Sequence, residues 1–226
     1  PPQFSAKRGI YNTPFRVHLT TDEPDAVIRY TTDYSEPTIT NGKVYNESLE
    51  VRRTMVLRAA VYKEGMLPSR VETHTYVYNL GNSVTSLPML SLVTERSNLW
   101  GRTGIMETSP RNTTKRGIAW ERPVSMELIY PDTGETLHAN AGLRVQGGAY
   151  IRGRYNPNSG PPAGKYSFRL YFRGDYGLGR LRYPFFPDLQ VEDFNHIVLR
   201  AGMNDHTNPF IIDELVRRLA ADMGQI

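Results

Sequence analysis

The sequence has no cysteine among its 226 residues, which excludes disulfide bonds and thiolate metal sites. No apolar run approaches the roughly 20 residues of a membrane-spanning helix, so we expect no membrane partner. Tryptophan is scarce, with 2 residues against 14 tyrosines and 8 phenylalanines, and the net charge is only +4. This composition is typical of a folded, β-rich protein.

The first 78 residues predict a small all-β domain. Apolar and polar residues alternate with the period of a strand in four segments, and residues typical of turns separate these segments. The segments are Phe15 to Leu19, Val27 to Thr32, Met55 to Tyr62 and Thr73 to Tyr78. We expect these strands to pack as a β-sandwich.

The sharpest local feature of this region is the run Tyr30 to Thr38, Tyr-Thr-Thr-Asp-Tyr-Ser-Glu-Pro-Thr. Asp33 and Ser35 are placed to bond backbone N–H groups of a turn that the following proline rigidifies. The run resembles the chitobiase/β-hexosaminidase C-terminal domain family, with Tyr34 in place of the usual glycine. The resemblance covers about residues 5–78. It implies a non-catalytic, immunoglobulin-like sandwich appended to a secreted or surface protein.

A small, polar segment at residues 79–86 predicts a linker between two domains. Beyond it, Leu87 to Thr94 and Val124 to Tyr130 read as strands, and a turn leads to a third strand near Leu137. These strands predict a mainly antiparallel sheet. Residues 101–122 follow neither the helical nor the strand period, and we expect an excursion over the surface.

The stretch Gly142 to Phe186 concentrates the candidate chemistry. Strand alternation from Leu143 ends at Gly147-Gly148, and alternation resumes from Lys165 to Phe172 with Lys165 and Arg169 on the polar face. Between positions 144 and 182 the sequence has eight basic residues and one acid. This stretch therefore predicts a surface that attracts anions.

The end of the chain predicts a buried strand at Phe194 to Arg200 and then a helix. The helix has Thr207 or Asn208 as its N-cap and Gly224 as its C-terminal stop. Its apolar face comprises Ile212, Leu215, Val216, Leu219 and Met223. Asp213 flanks this face and can reach a neighbouring strand, whereas Glu214 points to water and can pair with the arginines that follow it.

Several motifs, in their order along residues 87–226, resemble the CotH kinase family, the spore coat protein H-like proteins. They are Ala141 to Gly148, Lys165 to Phe172, Tyr176-Gly177, Tyr183 to Asp188, and Val198 to Gly202 with Asn204-Asp205. The resemblance implies a divergent, secreted bacterial protein kinase. The expected fold class is mainly β with an α+β second domain: an immunoglobulin-like sandwich, then the small-lobe half of a protein-kinase-like fold.

The resemblance also implies a nucleotide site. Lys165 takes the place of the lysine that binds the ATP phosphates, and Asp213 or Glu214 on the terminal helix pairs with it. Gly147, Gly148 and Arg144 complete the expected nucleotide-binding set. In kinase-like folds the catalytic and metal-binding acids lie after this helix, so we expect no catalytic residue in this stretch and no phosphoryl transfer by the fragment alone.

The partners implied are therefore ATP, a divalent cation such as Mg²⁺, a protein substrate of unknown identity and the remainder of the kinase-like domain. An alternative, from a different class, is a pair of extracellular adhesion or glycan-binding modules whose tyrosines stack on sugars. Nucleic-acid binding is a third interpretation, which the modest net charge disfavours.

Overall fold

The computed structural model describes residues 1–81, 87–147, 166–186, 191–201 and 212–224. Strands account for 39% of the residues and helices for 10%, which confirms the prediction of a mainly β protein. The chain divides into two compact units. The first comprises Pro1–Asn98 with Pro123–Ala141, and the second comprises Leu99–Arg122 with Gly142–Ile226.

The predicted linker lies within the first of these units. Most of it, residues 82–86, is outside the described residues, so the boundary at residues 79–86 stays a prediction. The first unit nevertheless joins the predicted sandwich to residues on the far side of that linker, because Pro123–Ala141 belong to it.

The first unit begins with a two-layer β structure, consistent with a sandwich. Its nine strands are β1 (Gln3–Phe4), β2 (Gly9–Tyr11), β3 (Phe15–Val17), β4 (Leu19–Thr20), β5 (Val27–Thr31), β6 (Lys43–Val44), β7 (Leu49–Val51), β8 (Met55–Tyr62) and β9 (Glu72–Tyr78). One sheet has the order β2-β9-β8-β5-β6, with β2 and β9 parallel and the other pairs antiparallel. Opposite it lie the antiparallel pairs β1–β4 and β3–β7.

The core of the sandwich lies between these layers and follows from the strand period. Leu57, Ala59 and Val61 share one face of β8, because residues two apart on a strand face the same side, and all three are buried in this core. Val17 and Val51 face them from β3 and β7 and are fully buried. The strand predicted at Met55 to Tyr62 is thus the central strand of the sheet.

The first unit also contains β10 (Met89–Val93), β11 (Arg122–Ile129, from Pro123 onward) and the first part of β12 (Thr136–Gln146). β10 and β11 are antiparallel, with Ser91 opposite Glu127. The three strands are consecutive along the chain and neighbours in one sheet, as the sequence predicts.

The second unit contains the rest of β12, from Gly142 onward. This part of β12 pairs with β13 (Ser167–Tyr171), and β13 pairs on its other side with β16 (His196–Leu199). β14 (Leu181–Arg182) pairs antiparallel with β15 (Asp193–Phe194). The helix α2 (Ile212–Asp222) also belongs to this unit. The remaining elements among the described residues are a four-residue helix α1 (Arg96–Leu99) and two 3₁₀ turns (Asn112–Thr114 and Ile118–Trp120).

Two local predictions for this region have clear outcomes. The strand at Phe194 to Arg200 is predicted to be buried, but His196 and Val198, which share one face of β16, are exposed, so that face of the strand is uncovered. The predicted helix stop is confirmed, because Gly224 has φ 69° and its N–H donates to the carbonyl of Ala221. Among the described residues, no helix combines the length and apolar character needed to cross a membrane.

Candidate functional site: an arginine cluster on strands β12 and β13

The antiparallel pairing of β12 with β13 places two arginines side by side. Arg144 is directly opposite Arg169 in the register. Like charges in directly opposed positions destabilise a sheet, so this pair needs compensation from its surroundings. The register puts Arg169 on the same face of β13 as Tyr171, two residues along the strand.

Tyr171 lies among three guanidinium groups on this face. Its ring centroid is 4.6 Å from the guanidinium carbon of Arg144, 5.0 Å from that of Arg173 and 5.9 Å from that of Arg169. Arg144 also donates a hydrogen bond to the Tyr171 hydroxyl. Each contact is within the range of a cation–π interaction, which offsets part of the repulsion between the arginines.

Glu121 supplies the carboxylate of this cluster, and its side chain is fully buried. Arg173 holds it with two hydrogen bonds, from Nε at 3.0 Å and from Nη2 at 3.1 Å. The hydrogen bonds to Glu121 raise the pKa of Arg173. Arg144 is farther away, with Nη1 at 3.8 Å from the carboxylate, so Arg173 is the principal partner.

Tyr176 closes the cluster beside Glu121. Its hydroxyl donates to the carboxylate at 3.4 Å, and burial, followed by the charge of Glu121, raises the pKa of this phenol. The ring lies over Gly142 of β12, where a Cβ atom would be 2.4 Å from ring atom Cε2. Glycine at position 142 is therefore required by close packing rather than by backbone conformation.

The charges of the cluster do not balance within the described residues. Three guanidiniums (Arg144, Arg169 and Arg173) lie around the Tyr171 ring, and two of them, Arg144 and Arg173, share one carboxylate, that of Glu121. Among the residues that the structure describes, the buried Nε atoms of Arg144 and Arg169 have no hydrogen-bond acceptor. A buried donor without a partner is costly, and arginine binds phosphate and carboxylate groups through paired N–H donors. The arrangement can accept an anion.

Some of the predicted site residues are among the described residues and others are not. Arg144 is in the cluster, and Gly147 lies just after β12 with φ 123°, a conformation that favours glycine. Lys165 and Gly148 lie outside the described residues, and the side chain of Asp213 does as well. Their expected contacts with a nucleotide stay predictions.

Glu214 is exposed on α2 and is already paired within its own helix. Arg217 donates to it twice, at 3.0 and 2.8 Å, and Arg218 donates once, at 2.8 Å. These hydrogen bonds lower the pKa of Glu214 to about 2. The expectation that Glu214 faces water and pairs with the following arginines is confirmed.

Glu121 is the residue of this cluster that the sequence does not reveal. It lies near the end of residues 101–122, which have no strand or helical period and which we expected to run over the surface. That expectation is wrong for part of the segment, because Ile105, Asn112 and Glu121 are buried. The amide of Asn112 donates to the carbonyls of Arg102 and Gly104, which anchors the segment internally. The only available signal is the shortage of acids in the basic stretch that Glu121 neutralises.

The first unit has a separate cleft of about 950 Å³ on the β5–β6 side of its larger sheet. Its walls include Val27, Ile39, Tyr62 and Met66. Ile39 and Met66 are more than half exposed. The Tyr62 hydroxyl donates to the Pro37 carbonyl at 2.7 Å, which fixes one wall of the cleft to the 33–42 loop.

That loop is built as the sequence predicts. The Asp33 carboxylate accepts hydrogen bonds from the Ser35 backbone N–H at 3.2 Å and from the Ser35 hydroxyl at 2.6 Å. The bond from the hydroxyl is the main reason that the pKa of Asp33 is lowered. An ionised, turn-bonded carboxylate has a structural role here.

Comparison with protein families supports the first of the two resemblances. Residues 6–73 match the model of the chitobiase/beta-hexosaminidase C-terminal domain. Comparisons with curated proteins and with solved structures find no match. The matched residues run from the start of the sandwich into β9, so the family match covers the sandwich and not the strands that carry the arginine cluster.

Proposed function

We propose that this chain supplies the ATP-phosphate-binding elements of a secreted or surface CotH-like atypical protein kinase, an enzyme that transfers a phosphoryl group from ATP to protein. One observation carries the proposal: the guanidiniums of Arg144, Arg169 and Arg173 surround Tyr171, and within the described residues Glu121 is the one carboxylate paired with them. Phosphate binding needs such an excess of positive charge and close backbone approach. The order of motifs along residues 87–226 supports the same family.

Each residue has a distinct role in this proposal. Arg144 offers a guanidinium to the phosphates, and Gly147 lets the backbone approach them. Lys165 contributes a point charge. Asp213 is the better candidate to orient Lys165, because Glu214 is already bonded to Arg217 and Arg218.

ATP supplies the phosphoryl group, and the residues of this chain bind and orient it. The described residues contain no cluster of three His, Asp or Glu side chains that could hold a metal ion. The divalent cation in the proposal therefore rests on the resemblance to the CotH family alone. An extracellular location has the same basis, together with the match of residues 6–73 to a domain family typical of extracellular proteins.

Lys165→Met in the intact protein that carries this sequence tests the proposal. Phosphoryl transfer from radiolabelled ATP to a generic protein substrate, or to the protein itself, should fall to background. Lys43→Met is the matched control, since Lys43 is an exposed lysine on β6 of the sandwich, and this variant should keep full transfer. Equal transfer by the Lys165→Met variant and the wild type would refute the proposed role.

A second candidate function, glycan recognition by the first unit, is favoured by the cleft between the 33–42 loop and the 63–70 segment. Its tyrosine and exposed apolar side chains could contact a sugar ring. In this case chitin or peptidoglycan fragments should bind with micromolar affinity. Tyr62→Ala should abolish that binding, and absence of binding to the wild type would exclude this function.

A further inference from the structure

A buried carboxylate connects the matched sandwich to the strands that follow it in the chain. The side chain of Glu127, on β11, is fully buried. It accepts hydrogen bonds from the Thr75 backbone N–H at 3.2 Å and from the Thr75 hydroxyl. Arg8 lies 3.3 Å away through Nε and is itself only 11% exposed. The Thr75 hydroxyl also lies 2.8 Å from that of Ser91 on β10.

The sheet geometry explains why these four residues meet. Arg8 and Thr75 come immediately before the parallel pairing of β2 with β9, which begins at Gly9 and Tyr76, so that pairing leaves the Thr75 N–H available. Ser91 and Glu127 are directly opposite each other on β10 and β11. Alternation places both on the face that meets Thr75.

The contact of Glu127 with Arg8 and Thr75 is buried, as in a protein core, and is not a surface ion pair. Burial raises the pKa of Glu127 and lowers the pKa of Arg8, which means that each charge has lost solvation. Thr73 and Thr75 on β9 are 1% and 4% exposed, although β9 belongs to the sheet whose other face covers the sandwich core. This outer face of β9 is thus covered.

We infer that the outer face of the sandwich is a built-in interface for residues 89–98 and 123–141 of the same chain, fastened by Glu127, and that the sandwich and strands β10 and β11 unfold as one cooperative unit. The sandwich is then not a spacer that folds separately. The matched residues 6–73 include Arg8 but end before Thr75, Ser91 and Glu127, so the match does not contain the fastening. This inference is independent of the proposed kinase function.

Hydrogen exchange measured by mass spectrometry on the whole chain tests this inference. Removing one partner of a buried ion pair leaves an uncompensated charge and destabilises the folded state. The equilibrium constant for unfolding should therefore rise about 100-fold or more. Glu127→Gln should accelerate exchange of the most protected amides by one common factor in β8, β9, β10 and β11. Acceleration confined to β10 and β11, with β8 and β9 unchanged, would overturn the inference.

A double-mutant cycle identifies the pair responsible. Arg8→Met and Glu127→Met should each accelerate exchange, and the double variant should do so by much less than the product of the two factors, because it leaves no unpaired charge. Multiplicative effects would show that Arg8 and Glu127 act separately and would overturn the fastening.

Two further variants make the test robust. Thr75→Val keeps the shape but removes one hydrogen bond to a charged group, and it should accelerate exchange in all four strands about tenfold, which gives a milder test where Glu127 variants do not fold. Glu50→Gln removes the ion pair between Glu50, which is 37% exposed, and Arg52, which is 72% exposed. It is the matched control and should change exchange by less than about twofold.

Discussion

At the scale of single residues, Tyr34 shows how a substitution within a motif is accommodated. The position has φ 71°, in the left-handed region where a side chain is unfavourable and glycine is not. The resemblance to the chitobiase family places glycine there. Arg58 donates a hydrogen bond to the Tyr34 carbonyl at 2.8 Å, which helps to hold this conformation.

We predict that Tyr34→Gly stabilises the protein. The change relieves about 1 kcal/mol or more of backbone strain and removes a side chain that is 56% exposed; the greater entropy of glycine in the unfolded chain offsets about half of the gain. The free energy of unfolding, measured with urea, should rise by about 0.5 kcal/mol. A decrease would mean that the tyrosine ring contributes more to stability than its exposure indicates.

The residue scale is also where sequence reasoning reaches its limit. Ser35 and Asp33 could be assigned to a turn because their short polar side chains bond groups only a few residues away in the sequence. Arg144 could be assigned to an anion-attracting surface from the local charge. Glu121 could not, because its partners are 23 and 52 residues away in sequence and no local pattern encodes such a contact.

At the scale of elements, the strands were predictable where one face is buried. β9, in which the partly exposed Glu72 and His74 alternate with the buried Thr73 and Thr75, follows the alternation most closely. β8 is buried on both faces. The burial of β16 was predicted wrongly because an apolar run does not reveal whether another layer packs on both faces of the strand. The start of the terminal helix, at Thr207 or Asn208, lies outside the described residues.

The close packing of β12 against Tyr176 yields an element-scale prediction. Gly142→Ala would place Cβ 2.4 Å from the tyrosine ring, so the ring must move away from Glu121. We expect a loss of about 1–3 kcal/mol in the free energy of unfolding, measured by thermal and urea denaturation.

Gly174→Ala is the control for this prediction. A Cβ at position 174 meets no atom within 4 Å, and the substitution should leave stability unchanged or slightly higher. Equal effects of the two substitutions would show that Tyr176 does not constrain β12.

At the scale of the whole molecule, two histidines in the first unit make stability depend on pH. Burial, and then the charge of Arg8, lowers the pKa of His74 to about 3 and that of His138 to about 4. The His74 ring stacks on Phe4 with centroids 4.0 Å apart, and His138 Nε2 lies 3.0 Å from the Ser125 hydroxyl. Both rings are neutral in the folded protein above these values.

The sign of the effect follows from proton binding. Below pH 6.5 the unfolded chain protonates both histidines and the folded protein does not, so stability falls as pH decreases from about 6.5 toward 4 and 3. Each histidine contributes a slope of up to about 1.4 kcal/mol per pH unit. Glu127 and Glu72, whose folded pKa values are raised by burial, act in the opposite direction and reduce the net slope.

Urea unfolding between pH 7 and pH 4.5 measures this slope. His138→Gln should make the slope smaller. His18→Gln, at an exposed position, is the control and should leave the slope unchanged. A free energy of unfolding that does not vary over this range would contradict the buried, neutral state of the two rings.

The anion site itself is tested most directly by the affinity of ATP for the intact protein, measured by isothermal titration calorimetry in the presence and absence of Mg²⁺. Arg144→Met should weaken ATP binding by about 10- to 100-fold, which is the contribution of a hydrogen bond between charged groups. Arg52 is an exposed arginine of the sandwich, and the control variant Arg52→Met should bind ATP like the wild type. Undiminished ATP affinity in the Arg144→Met variant, or a wild-type protein that binds no ATP, would contradict a nucleotide-phosphate site at the arginine cluster.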